Sequence, residues 1–276
     1  MPPMTQTPRL TDRAALTRNR ARAARAPTLF LQEEAAQEVK DRLELVNRAF
    51  TKPAVVTGFS QVWQDVLPDA RIVADDEVLD LEEGTYDLVI HSLSLHWASD
   101  PVGQLIQVRR ALQPDGLCLV SLFGGQTLHE LRSALAEAEV RVTGGLSPRV
   151  LPMGEIRDLG GLLQRAGLAL PVADSVTIPV SYADPFALMR DLRAMGETNA
   201  LDARLRRPTR RTVLEEASRI YTAQHADADG RISATFEMIF LSGWAPDDSQ
   251  PKPLRPGSAQ ARLADALGSV ESKLQD

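Results

Sequence analysis

Apolar and polar residues alternate along this chain with two periods, and the switch between them predicts its elements. Leu10 to Ala26 reads as a polar helix, because its mixed arginines and alanines favour that state. In Glu33 to Phe50, Ala36, Val39, Leu43, Val46 and Phe50 recur at helical spacing until Pro53 stops the run. A strand is expected at Ala54 to Thr57, broken by Gly58, then a short helix from Val62 to Leu67. Arg71 to Ala74 reads as a second strand, leading into an acidic loop from Asp75 to Gly84. The clearest strand is Tyr86 to Ile90, which runs into His91-Ser-Leu-Ser-Leu-His-Trp97.

Pro101 opens a helix at its first turn, and that helix is expected to reach Leu112. Leu117 to Phe123 is apolar throughout, as a strand buried on both faces must be. Helices follow at Thr127 to Val142 and Met153 to Ala166, the second closed by Gly167. A strand from Val172 to Val180, helices from Pro185 to Met195 and Thr209 to Gln224, and a long strand from Ile232 to Trp244 complete the series. This alternation predicts an α/β domain with a mainly parallel sheet, the last strand entering antiparallel at the edge. The expected division is an N-terminal helical extension over 1–50, an α/β domain over 51–245, and a Pro-rich linker with a short amphipathic helix over 246–276. Leu263, Leu267, Val270 and Leu274 form the stripe of that last helix, and docking on the body of the protein is its expected role.

Composition narrows the field. The net charge of -6 gives no global attraction to nucleic acid or to an anionic membrane. No run of about 18 apolar residues exists, so no membrane span is expected. Cys118 is the single cysteine, which excludes an intrachain disulfide and suits a reducing compartment. The cytoplasm is the expected location. The Arg-rich start has the composition of an organelle transit segment, and the mitochondrial matrix is the alternative.

Ligands in open α/β sheets sit beyond the carboxyl ends of the strands, so three strand ends draw attention. Thr57-Gly58 offers one glycine where backbone can approach a ligand closely. Asp75-Asp76 offers carboxylates that accept hydrogen bonds from an amine or from ribose hydroxyls. His91 and His96 are the candidates for a general base by their chemistry. His96, Trp97 and Phe123 are expected to line a substrate pocket. The histidines lack HxxxH or HxD spacing and have no cysteine nearby, so no metal site is expected. Serine-hydrolase, P-loop and GxGxxG patterns are all missing.

Several runs resemble one known family. They are Tyr86-Asp-Leu-Val-Ile-His-Ser-Leu-Ser-Leu-His-Trp97, Leu112-Gln-Pro-Asp-Gly-Leu117, Phe123-Gly-Gly-Gln-Thr-Leu-His-Glu-Leu-Arg132 and Gly144-Gly-Leu-Ser-Pro-Arg149. Asp191-Leu-Arg-Ala-Met-Gly-Glu-Thr-Asn199 and Ser242-Gly-Trp244 belong with them. The chain resembles the methyltransferase-like proteins that include the protein-arginine hydroxylase of mitochondrial complex I assembly. It is more distantly similar to the malonyl-acyl-carrier-protein O-methyltransferases. The resemblance implies a Rossmann-like methyltransferase fold and S-adenosylmethionine as cofactor. It matches Ser92 and Leu93 to the wall beside the methionine part of that cofactor, and Asp75-Asp76 to the segment contacting its adenine. It implies a protein partner, the quinone-proximal iron–sulfur subunit of complex I, and either methyl transfer or arginine hydroxylation.

Two departures set a competing expectation. Val56 stands where the family has an acid, and Phe59-Ser60 replaces the glycine-rich continuation. From Gly58 the chain reaches Tyr86 in fewer than about 30 residues, too few for the two strands the family places there. A shortened parallel sheet is therefore expected, with S-adenosylmethionine bound weakly or lost. The alternative function is a non-catalytic methyltransferase-like protein that assembles or binds a partner.

Overall fold

The computed structural model describes residues 9–251. The unit ending at Pro246 carries one sheet and the helices that cover it. Its helices are α1 (Arg13–Ala23), α2 (Phe30–Val46), α3 (Ser60–Val66), α4 (Pro101–Ala111), α5 (His129–Thr143), α6 (Ile156–Arg165), α7 (Pro185–Ala194) and α8 (Arg211–His225). Its strands are β1 (Pro53–Thr57), β2 (Arg71–Val73), β3 (Tyr86–Ser92), β4 (Leu112–Phe123), β5 (Ala169–Tyr182) and β6 (Ile232–Trp244). The sheet order is β2-β1-β3-β4-β6-β5. The first four strands in that order are parallel, and β6 runs antiparallel to both β4 and β5. This is a Rossmann-like methyltransferase sheet reduced to six strands, as the shortened interval requires. No helix among the described residues is long and apolar enough to cross a membrane.

The final strand departs from expectation. β6 lies inside the sheet, between β4 and β5, and β5 takes the edge. The reason is visible in burial. β6 buries Ala234, Phe236, Met238, Ile239, Phe240 and Leu241, whereas β5 exposes Leu170 and Val172. A strand so apolar on both faces needs neighbours on both sides. The predicted C-terminal helix lies outside the described residues.

Two packed layers flank the sheet. On one face, Leu31, Ala35 and Val39 of α2 meet Leu88, Ile90, Leu119 and Phe236, together with the apolar sides of α5, α7 and α8. On the other, α4 and α6 cover Val56, Val89, Cys118 and Val120. Helix ends follow their local chemistry. Asp100 accepts from Gly103 N–H ahead of α4, and Asp184 from Ala187 N–H ahead of α7, each with proline at the first turn.

Helix α1 is tied into the domain. Asp12 caps it by accepting from Ala15 N–H, and the same carboxylate pairs with Arg204 and Arg206. Backbone bonds join Asp12 to Ala200 and Asp202 to Leu10. The N-terminal helices are therefore part of the wall around the strand ends.

Candidate functional site

The tips of β1, β2 and β3 converge as the sequence suggested. Thr57 is the register partner of Ser92, and Val56 pairs with Val73, two residues before Asp75. Thr57, Asp75 and Ser92 are all buried. The chain leaves β3 at Leu93, a buried residue at φ +37°, where an L side chain is strained. Ser121 Oγ holds that turn by accepting from Leu93 N–H at 3.2 Å. The loop after β2 is fixed from below, because Gln104 donates to the Asp76 carbonyl and Gln107 to the Glu77 carbonyl.

The hollow between these tips is filled from α1. Arg20 Nη1 donates to Asp75 Oδ1 at 2.6 Å, and its guanidinium stands 5.5 Å from the Phe59 ring centroid. Arg13 approaches the other carboxylate oxygen at 3.6 Å and donates to the Asp75 carbonyl. A β-carbon added at Gly58 would overlap the Arg20 guanidinium. The glycine that leaves space for a ligand's close approach thus leaves it for Arg20 instead. Arg20 is almost buried, and its Nε and Nη2 have no hydrogen-bond partner. A nucleoside cofactor needs both the space over Gly58 and a carboxylate able to accept. Asp75 Oδ2 is buried with no hydrogen-bond partner and can accept, but Arg20 occupies the space over Gly58.

His91 is fully buried, and both ring nitrogens are engaged: Nε2 with Gln104 Oε1 at 2.8 Å, Nδ1 with Ser94 Oγ at 3.2 Å. Burial lowers its imidazole to about 4. His96 faces a different environment. Its ring centroid lies 5.0 Å from Phe123 and 5.6 Å from Trp97, and both of its nitrogens are buried with no hydrogen-bond partner among the described residues. The structure therefore brings His96, Trp97 and Phe123 together, and places His91 on the far side of β3's end.

Trp97 and Phe123 line a cavity of about 650 Å³, walled also by Leu128, Met153, Met189 and Glu197. Thr57, Gly58, Asp75, Asp76, Ser92 and Leu93 do not line it, and neither does His96, which stands behind Trp97 and Phe123 rather than in the cavity wall as expected. Glu197 is the residue that sequence reasoning passed over. It follows α7, which ends with Gly196 at φ +77°. Glu197 N–H bonds to the Leu192 carbonyl and Gly196 N–H to the Arg193 carbonyl, the paired closure that a left-handed glycine allows. That closure aims Glu197 back toward the 3-10 turn at Leu95–Trp97. Trp97 Nε1 donates to Glu197 Oε2 at 2.8 Å, and His96 Nε2 stands 3.6 Å from the same oxygen. Glu197 Oε1 is buried without a partner. Its signal in the sequence was its place in the Asp191–Asn199 run that resembles the family, which carried no role for it.

The comparisons with known proteins agree with this architecture. Residues 43–120 match a family profile described as a methyltransferase domain. The chain is 37% identical over 231 residues to the arginine-hydroxylase NDUFAF5 of Danio rerio, covering 83% of this chain and 72% of that protein. The chain belongs to that methyltransferase-domain family. The human arginine-hydroxylase NDUFAF5 is 36% identical over 229 residues, covering 83% of this chain and 66% of that one. A malonyl-[acyl-carrier protein] O-methyltransferase of Halorhodospira halophila is 35% identical over 176 residues, 63% of this chain and 57% of that protein.

Proposed function

We propose that this methyltransferase-family protein takes an arginine side chain of a partner protein into the Trp97–Phe123–Glu197 cavity. The observation that carries the reading is Glu197 Oε1, buried and without a partner in the cavity wall. A buried carboxylate oxygen with nothing to accept costs about 1–3 kcal/mol or more. A guanidinium supplies the donors, and its planar face stacks on an indole. Trp97 is positioned for both tasks, holding Glu197 Oε2 while presenting its ring to the same cavity.

The relatives named arginine-hydroxylase supply the reaction class, and complex I assembly is the process the family resemblance supports. The partner we propose is the quinone-proximal iron–sulfur subunit of complex I. The relatives' names say mitochondrial, which favours the matrix over the cytoplasm for this chain. S-adenosylmethionine is the family's cofactor, held in that case by Thr57, Gly58, Asp75, Asp76, Ser92 and Leu93. One observation favours a second reading, binding without chemistry: Arg20 already fills that notch.

Calorimetry with an arginine peptide and its citrulline counterpart tests the first statement. Citrulline has the shape of arginine without its charge. Binding should fall about 100-fold for citrulline, and equally for arginine with Glu197→Gln. Equal affinity for the two peptides would remove the reading. Mass spectrometry of the peptide after incubation with S-adenosylmethionine separates the two readings. A gained methyl group supports methyl transfer, a gained oxygen atom when dioxygen and a two-electron reductant are also supplied supports hydroxylation, and unchanged mass under both conditions with intact binding supports a binding protein.

A further inference from the structure

The cavity has the wrong charge for the chain that builds it. The chain is acidic overall, yet five arginines line the cavity, Arg22, Arg149, Arg193, Arg204 and Arg207, against the single carboxylate Glu197. Two of the five are committed. Arg149 pairs with Glu139 at 2.6 Å and Arg204 with Asp12 at 2.7 Å. Arg22, Arg193 and Arg207 are exposed, and their side chains have no ion pair or hydrogen bond among the described residues. They come from α1, from the last turn of α7 and from the segment before α8, and all three border this cavity.

Uncompensated cations gathered at one mouth repel each other, and a docked anion relieves them. We infer that Arg22, Arg193 and Arg207 form a rim that recognises acidic residues beside the arginine of the partner segment. This deepens the cavity reading and rests on it for the identity of the central residue. The occupant is a peptide rather than a nucleic acid, because Glu197, the single carboxylate among the lining residues, repels phosphate, and apolar side chains such as Leu128, Met153 and Met189 line the interior beside it. The rim reads flanking charge at the surface, while Glu197 reads the side chain that enters. The two ends of the cavity thus demand opposite charges, and few ligands besides a mixed-charge peptide meet both demands.

The test uses peptides with a central arginine flanked by aspartates, serines or lysines, titrated by fluorescence anisotropy at about 0.1 M salt. With the unmodified protein, aspartate flanks should bind about tenfold tighter than serine flanks, the scale of a few exposed ion pairs. With Arg193→Glu and Arg207→Glu combined, the order should invert and lysine flanks should bind best. Because that inversion is a gain of binding, misfolding cannot imitate it. Indifference to the flanks in both proteins overturns the inference, and so does a single-stranded oligonucleotide that outcompetes the aspartate peptide. Glu197→Gln separates the two readings. It should abolish the preference for arginine over citrulline and leave the preference for acidic flanks. If flank preference persists where arginine preference never existed, the rim stands and the cavity assignment falls.

Discussion

At the residue scale, the two histidines near the end of β3 have the same sequence context and different fates. His91 sits inside the sheet layer with both nitrogens engaged, and burial lowers it from 6.5 to about 4. The folded protein therefore resists protonating it, while the unfolded chain takes up a proton near 6.5. The contribution of the neutral imidazole to stability is complete above about 6.5 and declines as pH falls toward 4, by roughly 3 kcal/mol at most. His91→Asn removes the titrating group. It should be less stable than the parent at neutral pH, since a shaped hydrogen-bond pair is lost, but its thermal midpoint should fall less steeply between pH 6.5 and 4. Parallel slopes for the two proteins would show that His91 is not the group that titrates. Sequence could name both histidines, because they lie at the end of a buried strand and just beyond it. It could not tell them apart, because the partners that decide, Gln104 and Phe123, come from α4 and β4.

At the element scale, α1 and α7 link the two halves of the site. Asn19 donates to the Thr198 carbonyl, and Thr28 N–H bonds to the Ala194 carbonyl. Gly196 packs against both Arg20 and Phe59 and turns α7 toward Glu197. Helix α1 thus delivers Arg20 to the strand tips and Arg22 to the cavity. Arg20→Ala should open the space above Gly58 and release Asp75 Oδ1, the oxygen Arg20 holds. S-adenosylhomocysteine, titrated by calorimetry, should then bind about tenfold or more tighter than to the parent, the worth of roughly one charge-assisted hydrogen bond. Weaker binding would mean that the open Nε and Nη2 of Arg20 grip the cofactor themselves. The convergence of Thr57, Asp75 and Ser92 was legible in the sequence because strand ends in such sheets share one edge. Arg20 was not, since it lies on a polar helix whose composition predicts only solvent exposure, and its partner is 55 residues away in the chain.

At the scale of the whole molecule, the alternation of elements foretold the α/β layers and the missing strand, but not the place of β6. Order within a sheet depends on which strands bury both faces, and apolar runs in β4 and β6 look alike until they are paired. Phe236 shows what that placement achieves. It is buried on β6, with ring centroids 6.4 Å from Phe30 of α2 and 6.3 Å from Phe123 of β4, and it also lines the cavity. One side chain therefore joins the N-terminal helices, the centre of the sheet and the binding site. Phe236→Ala should cost about 3–5 kcal/mol, because three elements cannot collapse together to fill the space left. That is a large part of the roughly 5–15 kcal/mol that holds a typical domain. Leu45→Ala, at a side chain 85% exposed on α2, should change stability by no more than about 0.5 kcal/mol. Urea denaturation of both variants checks the contrast. A loss below about 1 kcal/mol at Phe236 would mean that α2 holds to the sheet mainly through other contacts, such as Leu31 and Val39 against Leu88 and Leu119. The cavity would then be free to change shape without loosening the fold.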